Sequence, residues 1–308
     1  MGKKTEENPE QLAQHLIMLP PKIIAEVGCN HRGEIAIAKE LIHIAAYFCK
    51  ADVVKFQKRT PRELLSEEEY NAPHPNPMHS YGKTYGEHRE FLELDITQHH
   101  LLKKSCEENG IVYSTSVWDL TSAREITDLA PSLIKIPSAC NLNFEMLEFL
   151  CQNYAGEIHL SFGMTLKAEE EEIVRLFESN NAADRLVLYS CTSGYPVAFE
   201  DICLLEITRL KKTYEQRVKE IGFSGHHLGI AADLAAMTLG ATWIERHFTL
   251  DRTWKGTDHA ASLEPDGLRR LCRDLEAVSK ALRNKDDEIL AVEEVQRNKL
   301  KRARSGDA

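Results

Sequence analysis

The chain has 308 residues, a formal net charge of −10 and 43% hydrophobic residues. This composition excludes a disordered chain, which is poorer in apolar side chains, and it excludes the basic surface that contacts nucleic acid or an anionic membrane. No apolar run approaches the roughly 18 residues that cross a bilayer, and the polar start MGKKTEENPEQ has no signal-peptide core behind it, so a cytoplasmic location is expected.

A polar lead and one short amphipathic helix, QLAQHLIML, form an extension over residues 1–20. Short β-branched runs then alternate with longer helical segments. Strands are predicted at 22–27, 52–56, 111–114, 133–136, 158–160, 186–189, 221–222 and 242–246, and helices at 34–49, 97–109, 121–129, 143–153, 167–179, 200–214, 228–239 and 265–282. Buried strands alternating with amphipathic helices give a parallel sheet covered by helices. Eight such units in about 260 residues predict a closed (β/α)8 TIM barrel spanning 21–283. A doubly wound open sheet is the alternative, but the first strand runs into GCNHRGE and lacks the Gly-x-Gly-x-x-Gly phosphate loop. Residues 284–308 read as a helical tail. Its lysines and arginines sit among acidic residues, as on a solvated helix; a basic docking tail is the other reading.

One connection is unusually long. Residues 59–93 are rich in Pro, His, Asn, Gly and Tyr, and a loop of that length inside a compact domain is functional or disordered. An ordered lid is expected, with Tyr81, Tyr85, His88 and Arg89 as contacts. The eight cysteines form no CxxC pair, so they predict neither a zinc framework nor a disulfide scaffold.

Chemistry in such a barrel sits at the C-terminal ends of the strands. These ends read AEVGCNH, VKFQKR, YSTSVW, KIPSAC, LSFGM, YSCTSGYP, FSGHH and ERHFT. Lys55, Gln57, Thr115, Lys135, Ser138, Ser161, Ser193 and Ser224 would converge on one mouth. Ammonium groups among hydroxyls suit a phosphate or carboxylate, although any one serine is as readily a helix cap. Lys55 and Lys135 lie inside apolar runs, where an unpaired lysine is costly. His226 and His247 end strands seven and eight, close enough to share a divalent ion, with His227 competing for the first role. Glu26, inside IIAEVG, would bind metal, lysine or a hydroxylated substrate.

The segments AEVGCNHRG, DVVKFQ, KIPSA, SFGM, CTSGYP, GFSGHHLGIAADLAAMTLGATWIERHFTLD and GTDHAASLEPDGL together resemble the sialic acid synthase family, the N-acetylneuraminate synthases and their nonulosonic acid relatives. The resemblance runs from about residue 23 to 282. It implies condensation of phosphoenolpyruvate with an N-acyl hexosamine such as N-acetylmannosamine, release of phosphate by C–O cleavage, and a Mn²⁺ or Mg²⁺ cofactor. It implies metal binding by His226 and His247, and phosphoenolpyruvate binding by Lys55, Thr115, Lys135, Ser138, Ser161, Ser193 and Ser224. Glu26, Gln57 and Asp258 would contact the sugar, while Glu26 and Tyr195 would act at the reacting centre. Two other readings compete: a 3-deoxy-aldulosonate synthase acting on a phosphorylated aldose, and a non-catalytic sugar-binding barrel.

The chain departs from the family pattern in places. Where the family reads PSGE this chain reads PSAC, putting Cys140 at the position of a sugar-contacting glutamate, and Gly225 stands where the family has aspartate before the metal histidine. An altered acceptor is therefore expected. The sequence ends where family members continue into an antifreeze-like domain, so the barrel domain alone is expected. Family members are commonly dimers; a homodimer of this chain would then rest on barrel surfaces.

Overall fold

The computed structural model describes residues 19–302; the helix expected at the start of the chain lies largely outside them. Eight parallel strands close into a barrel in strict chain order: β1 (Lys22–Gly28), β2 (Val53–Lys58), β3 (Val112–Val117), β4 (Leu133–Ile136), β5 (Glu157–Ser161), β6 (Leu186–Cys191), β7 (Glu220–Gly225) and β8 (Trp243–His247). β1 pairs with both β2 and β8, which completes the ring and leaves no sheet edge. All eight predicted strands and the barrel itself are present.

The helices, in chain order, are α1 (Ile35–His43), α2 (Pro61–Leu64), α3 (Glu67–Asn71), α4 (Tyr85–Leu92), α5 (Ile96–Glu108), α6 (Leu120–Leu129), α7 (Phe144–Asn153), α8 (Lys167–Ser179), α9 (Leu205–Tyr214), α10 (Ala231–Thr238), α11 (Pro265–Ala281) and α12 (Ala291–Leu300). Local chemistry sets their starts. Asp95 and Gln98 form a capping box on α5, Asp119 accepts from Ser122 N at the start of α6, and Asn143 accepts from Met146 N at the start of α7. The predicted helix 34–49 is α-helical only to His43; Ile44–Cys49 widens into a π-turn that Lys50 ends in the left-handed region.

The chain divides into two compact units, of which Pro21–Leu275 contains the barrel; the described part of the other contains α12. Among the described residues, no helix is long and apolar enough to cross a membrane.

Side chains alternate across each strand, so every second residue enters the barrel. The lower interior is apolar, built by Ile24, Val53, Leu133, Val187, Tyr189 and Trp243. Two residues further along the same strands the inward positions turn polar: Glu26 above Ile24, Lys55 above Val53, Lys135 above Leu133 and Glu245 above Trp243. The barrel is thus a sealed hydrophobic base carrying a charged floor.

Candidate active site

A cavity of about 490 Å³ opens at the C-terminal ends of the strands. Its floor is an ionic network. Lys135 Nζ lies 2.9 Å from both carboxylate oxygens of Glu245, and Ser224 Oγ donates to Glu245 Oε1 at 3.0 Å. Lys55 Nζ sits 2.5 Å from Glu26 Oε2 and 3.8 Å from Glu245 Oε2, and it donates to Ser116 Oγ at 2.6 Å. All four charged side chains are buried.

Burial opposes every one of these charges, and the pairing decides which survive. Burial raises the Glu26 pKa, and Lys55 only partly offsets it. For Lys55, burial is outweighed by the carboxylates of Glu245 and Glu26, and its pKa is raised. Burial lowers the Lys135 pKa in spite of Glu245. Glu245 is driven well below the carboxylate range because Lys135 and Lys55 together overcome its burial. Glu245 is therefore the fixed anion, and Glu26 is the carboxyl group that most readily keeps a proton.

Above the floor lies a ring of hydroxyls. Ser138, Ser161, Ser193 and Ser224 all line the cavity. Gly163 N donates to Ser138 Oγ at 3.0 Å, and a Cβ at Gly163 would stand 2.6 Å from Ser138 Oγ and closer still to Ser193 Oγ. Only glycine leaves that space open. The serine hydroxyls around it, with Ser138 held by the Gly163 N–H, form a small oxyanion cradle.

His226 and His247 face each other beside this cradle, with ring centroids 5.4 Å apart. His226 Nδ1 is 3.1 Å from the carbonyl oxygen of Thr192. A carbonyl only accepts, so Nδ1 carries the proton and Nε2 keeps its lone pair. Burial, then the neighbouring His247, pushes the His226 pKa down to about 3, so the ring is neutral. His247 Nδ1 is buried without a hydrogen-bond partner. The neutral ring of His226 and the orphaned nitrogen of His247 fit a divalent ion whose remaining positions are open to water or substrate oxygen. Among the described residues, no set of three or more His, Cys, Asp and Glu side chains is arranged as a complete metal cage. His227 faces away, against Arg246 and Asp233.

Residues 41–287 match the NeuB family. The chain belongs to the NeuB family. It is 36% identical over 91% of its length to N-acetylneuraminate-9-phosphate synthase of Homo sapiens, covering 76% of that protein. It is 35% identical over 84% of its length to N,N'-diacetyllegionaminic acid synthase of Campylobacter jejuni, covering 77% of it. Its fold is similar, with a TM-score of 0.76 and 29% identity, to the N-acetylneuraminic acid (sialic acid) synthetase of Leptospira borgpetersenii solved with citrate, covering 92% of this chain and 94% of that one. The expectation of a synthase of this family is met.

Within this NeuB-family barrel the remaining predicted residues divide. Gln57 Nε2 donates to Glu26 Oε1 at 3.3 Å, and both flank Gly28 together with Asp258. Burial alone would raise the Asp258 pKa; His247 and a 3.0 Å hydrogen bond from Thr257 hold it down instead. Tyr195 lines the cavity with its ring 4.4 Å from that of His226. Thr115 was expected at the mouth, but it pairs in register with Phe56 and faces out of the barrel; Ser116, one residue on, faces in and receives Lys55. Cys140 is not in the main cavity either. It lines an adjacent one of about 190 Å³, and burial pushes its thiol up to about 12. Glu245 was not predicted, although the inward spacing Trp243, Glu245, His247 was legible in WIERH.

The 59–93 connection is ordered. Capping boxes start α3 (Ser66 with Glu69) and α4 (Thr84 with Glu87), and Gly86 packs flat on the ring of Tyr70. Tyr85, His88 and Arg89 line the cavity as expected, together with His74. Tyr81 does not. It stacks on Phe91 at 4.8 Å and donates its hydroxyl to the carbonyl of Lys255, in the loop after β8, while Gly256 N donates to His79 Nδ1 at 3.2 Å. These contacts anchor the insertion across the mouth.

Proposed function

We propose that this protein joins phosphoenolpyruvate to the open-chain aldehyde of an N-acyl hexosamine, yielding a nonulosonic acid and inorganic phosphate. The observation that carries this reading is the lysine pair bridged by Glu245 beneath the serine cradle, in one cavity with the facing imidazoles of His226 and His247. Two lysines and a hydroxyl ring suit a small ligand with both a carboxylate and a phosphate. The relatives are synthases of nine-carbon acids of this class.

In this reading Lys55 and Lys135 hold the two anionic groups, and the serine hydroxyls, with Ser138 held in place by Gly163 N–H, fix the phosphate oxygens, so orientation and fixed charge supply much of the acceleration. A C–C bond forms between C3 of phosphoenolpyruvate and the aldehyde carbon. Water adds at C2, and the C2–O bond to phosphate breaks. The aldehyde oxygen needs a proton as the new bond forms. Glu26, whose pKa burial raises, holds one there, with Gln57 and Asp258 placed to bind the acceptor's hydroxyls. His226 and His247 would hold Mn²⁺ or Mg²⁺, which when bound supplies Lewis acidity toward the acceptor's carbonyl.

The test is release of phosphate and formation of a 2-keto acid from phosphoenolpyruvate, Mn²⁺ and a panel of N-acyl hexosamines. Turnover is expected with at least one acceptor. His247→Ala should abolish it and also lower Mn²⁺ affinity measured by titration calorimetry. Phosphoenolpyruvate left unconsumed with every acceptor rejects the reading.

A further inference from the structure

His226 and His247 are each tied to a neighbour on their outer side. His226 Nδ1 meets the carbonyl of Thr192, and the His226 carbonyl accepts from Val197 N at 3.0 Å, both in the segment after β6. His247 is level with Glu26 of β1, and its carbonyl accepts from Leu263 N at 2.8 Å. The placement of the two imidazoles relative to each other depends on the seam between β7 and β8. The backbone ladder of that seam stops at the pair Gly225 and Arg246, one residue before both histidines.

A side chain takes over where the ladder ends. Glu245 and His247 point into the barrel, so Arg246 between them points outward, and it is buried there. Its Nη2 donates to the His227 carbonyl at 2.5 Å and its Nη1 to the Gly229 carbonyl at 2.8 Å. One guanidinium thus joins the residue before His247 to the chain directly after His226. Asp233, in α10, pairs with Arg246 Nη1, and His227 Nε2 lies 3.1 Å from the same nitrogen. Asp233 and His227 are buried as completely as the arginine. A Cβ at Gly225 would stand 2.8 Å from His227 Cε1, so glycine is what lets the ring lie against the seam. None of the three side chains lines the cavity. Apolar side chains of similar size would seal this layer as well as a buried ion pair does. They would not hold two carbonyl groups at fixed positions.

We propose that Arg246 is a positioning residue: with Asp233 as its counterion and His227 packed beside it, it fixes the spacing of the His226 and His247 imidazoles and so sets the affinity of the pair for a divalent ion. This rests on the reading of His226 and His247 as metal ligands, and not on the identity of the acceptor. Groups that orient metal ligands without touching the metal are worth about 10–100-fold in metal affinity.

The experiment titrates Mn²⁺ and, separately, phosphoenolpyruvate calorimetrically into the parent, the double variant Arg246→Met with Asp233→Leu, and Arg246→Lys. The double variant removes both charges together and should unfold in urea as cooperatively as the parent, since apolar replacement of a buried pair is often neutral. Its Mn²⁺ affinity should fall at least about tenfold. Its phosphoenolpyruvate affinity, assigned to Lys55, Lys135 and the serine hydroxyls, should stay at the parent's value. Arg246→Lys keeps a cation beside Asp233 but has no fork to span both carbonyls, so its Mn²⁺ affinity should fall between the other two. Equal Mn²⁺ affinity in parent and double variant overturns the proposal, and so does an equal fall in both affinities, which is what a generally loosened barrel would give. If the double variant does not fold, Arg246→Lys decides by the same titrations: a selective loss of Mn²⁺ affinity supports the proposal, and no loss or an equal loss overturns it. A parent that binds no Mn²⁺ also overturns it, whereas the synthase reading fails on a different result, phosphoenolpyruvate left unconsumed with every acceptor.

Discussion

The floor and the rim of the cavity are built on opposite principles. The floor comes from strands whose register is locked by the closed barrel: Glu26 is level with Lys55 and with His247, and Ser224 with Glu245. Its ionisable groups are paired, Lys55 with Glu26 and Lys135 with Glu245, and the four strands that carry them are sealed below by apolar side chains. The rim comes from the 59–93 insertion, held by short capped helices and by contacts to the loop after β8. Its charge is unpaired at Arg89. A balanced, rigid network suits a step whose charge development must be met at fixed positions. A donor-rich, unbalanced rim suits the choice of partner. In the proposed reaction the barrel would carry the chemistry and the insertion the selection.

The largest expected effect comes from unbalancing the floor. Glu245→Gln leaves Lys135 and Lys55 buried with one carboxyl group between them. Breaking a buried pair this way costs about 3–5 kcal/mol of stability, and the displaced lysines should cost roughly 10²-fold in turnover. Urea unfolding and steady-state kinetics read the two effects. The double variant Lys135→Met with Glu245→Leu removes both charges and should recover most of the stability, since apolar replacement of a buried pair is often neutral. It should recover no activity. A single variant as stable as the parent would mean that the floor is not held by charge pairing.

The strands were legible in the sequence because a parallel barrel needs short, continuous apolar runs, and these stand out between amphipathic helices. Lys55, Lys135 and Glu26 were legible for the converse reason: a charge inside such a run must have a purpose. Resolution failed at one residue. Thr115 and Ser116 are adjacent hydroxyls in YSTSV, and only the pairing of Phe56 with Thr115 decides that Ser116 faces in. Glu245 escaped notice beside its neighbour His247, although both fall on the inward period of β8. The rim was legible as an ordered insertion, but not in detail. Tyr81, which looked like a contact, is used to anchor the loop, while Arg59, His74 and Trp118 enter the cavity from places that no local periodicity connects.

A smaller effect is expected where the floor meets the cradle. Gly163→Ala places a methyl group against Ser138 Oγ and Ser193 Oγ. Hydroxyls rotate cheaply, so the stability change should stay within about 1 kcal/mol, but the rotated hydroxyls no longer point inward. KM for phosphoenolpyruvate should rise about tenfold, the equivalent of one or two lost hydrogen bonds, while KM for the acceptor moves much less. If the acceptor KM responds more than that of phosphoenolpyruvate, the cradle serves the rim's ligand, and the division between floor and rim fails.

The smallest effect tests whether the seal beneath the floor is as rigid as its packing implies. His159 lies level with Lys135, fully buried, with Nδ1 2.7 Å from the Tyr189 hydroxyl and its ring edge-on to Trp243 at 4.6 Å. Burial, opposed by Glu157, drives its pKa down to about 4 from the ordinary 6.5. A base whose pKa is lower in the folded state leaves the unfolded chain binding more protons below pH 6.5. The stability it contributes is therefore complete above pH 6.5 and is lost as pH falls toward 4, at up to roughly 1 kcal/mol per pH unit. Other buried histidines, His31 and His99 among them, add slopes of the same sign. His159→Gln keeps a hydrogen-bonding side chain and removes one titration, so unfolding free energy plotted against pH between 6.5 and 4 should be flatter by about one proton. The slope is the readout, because the variant's overall stability shifts for packing reasons as well. An unchanged slope would show that His159 takes up its proton without unfolding, which requires water or an anion to reach the base of the barrel.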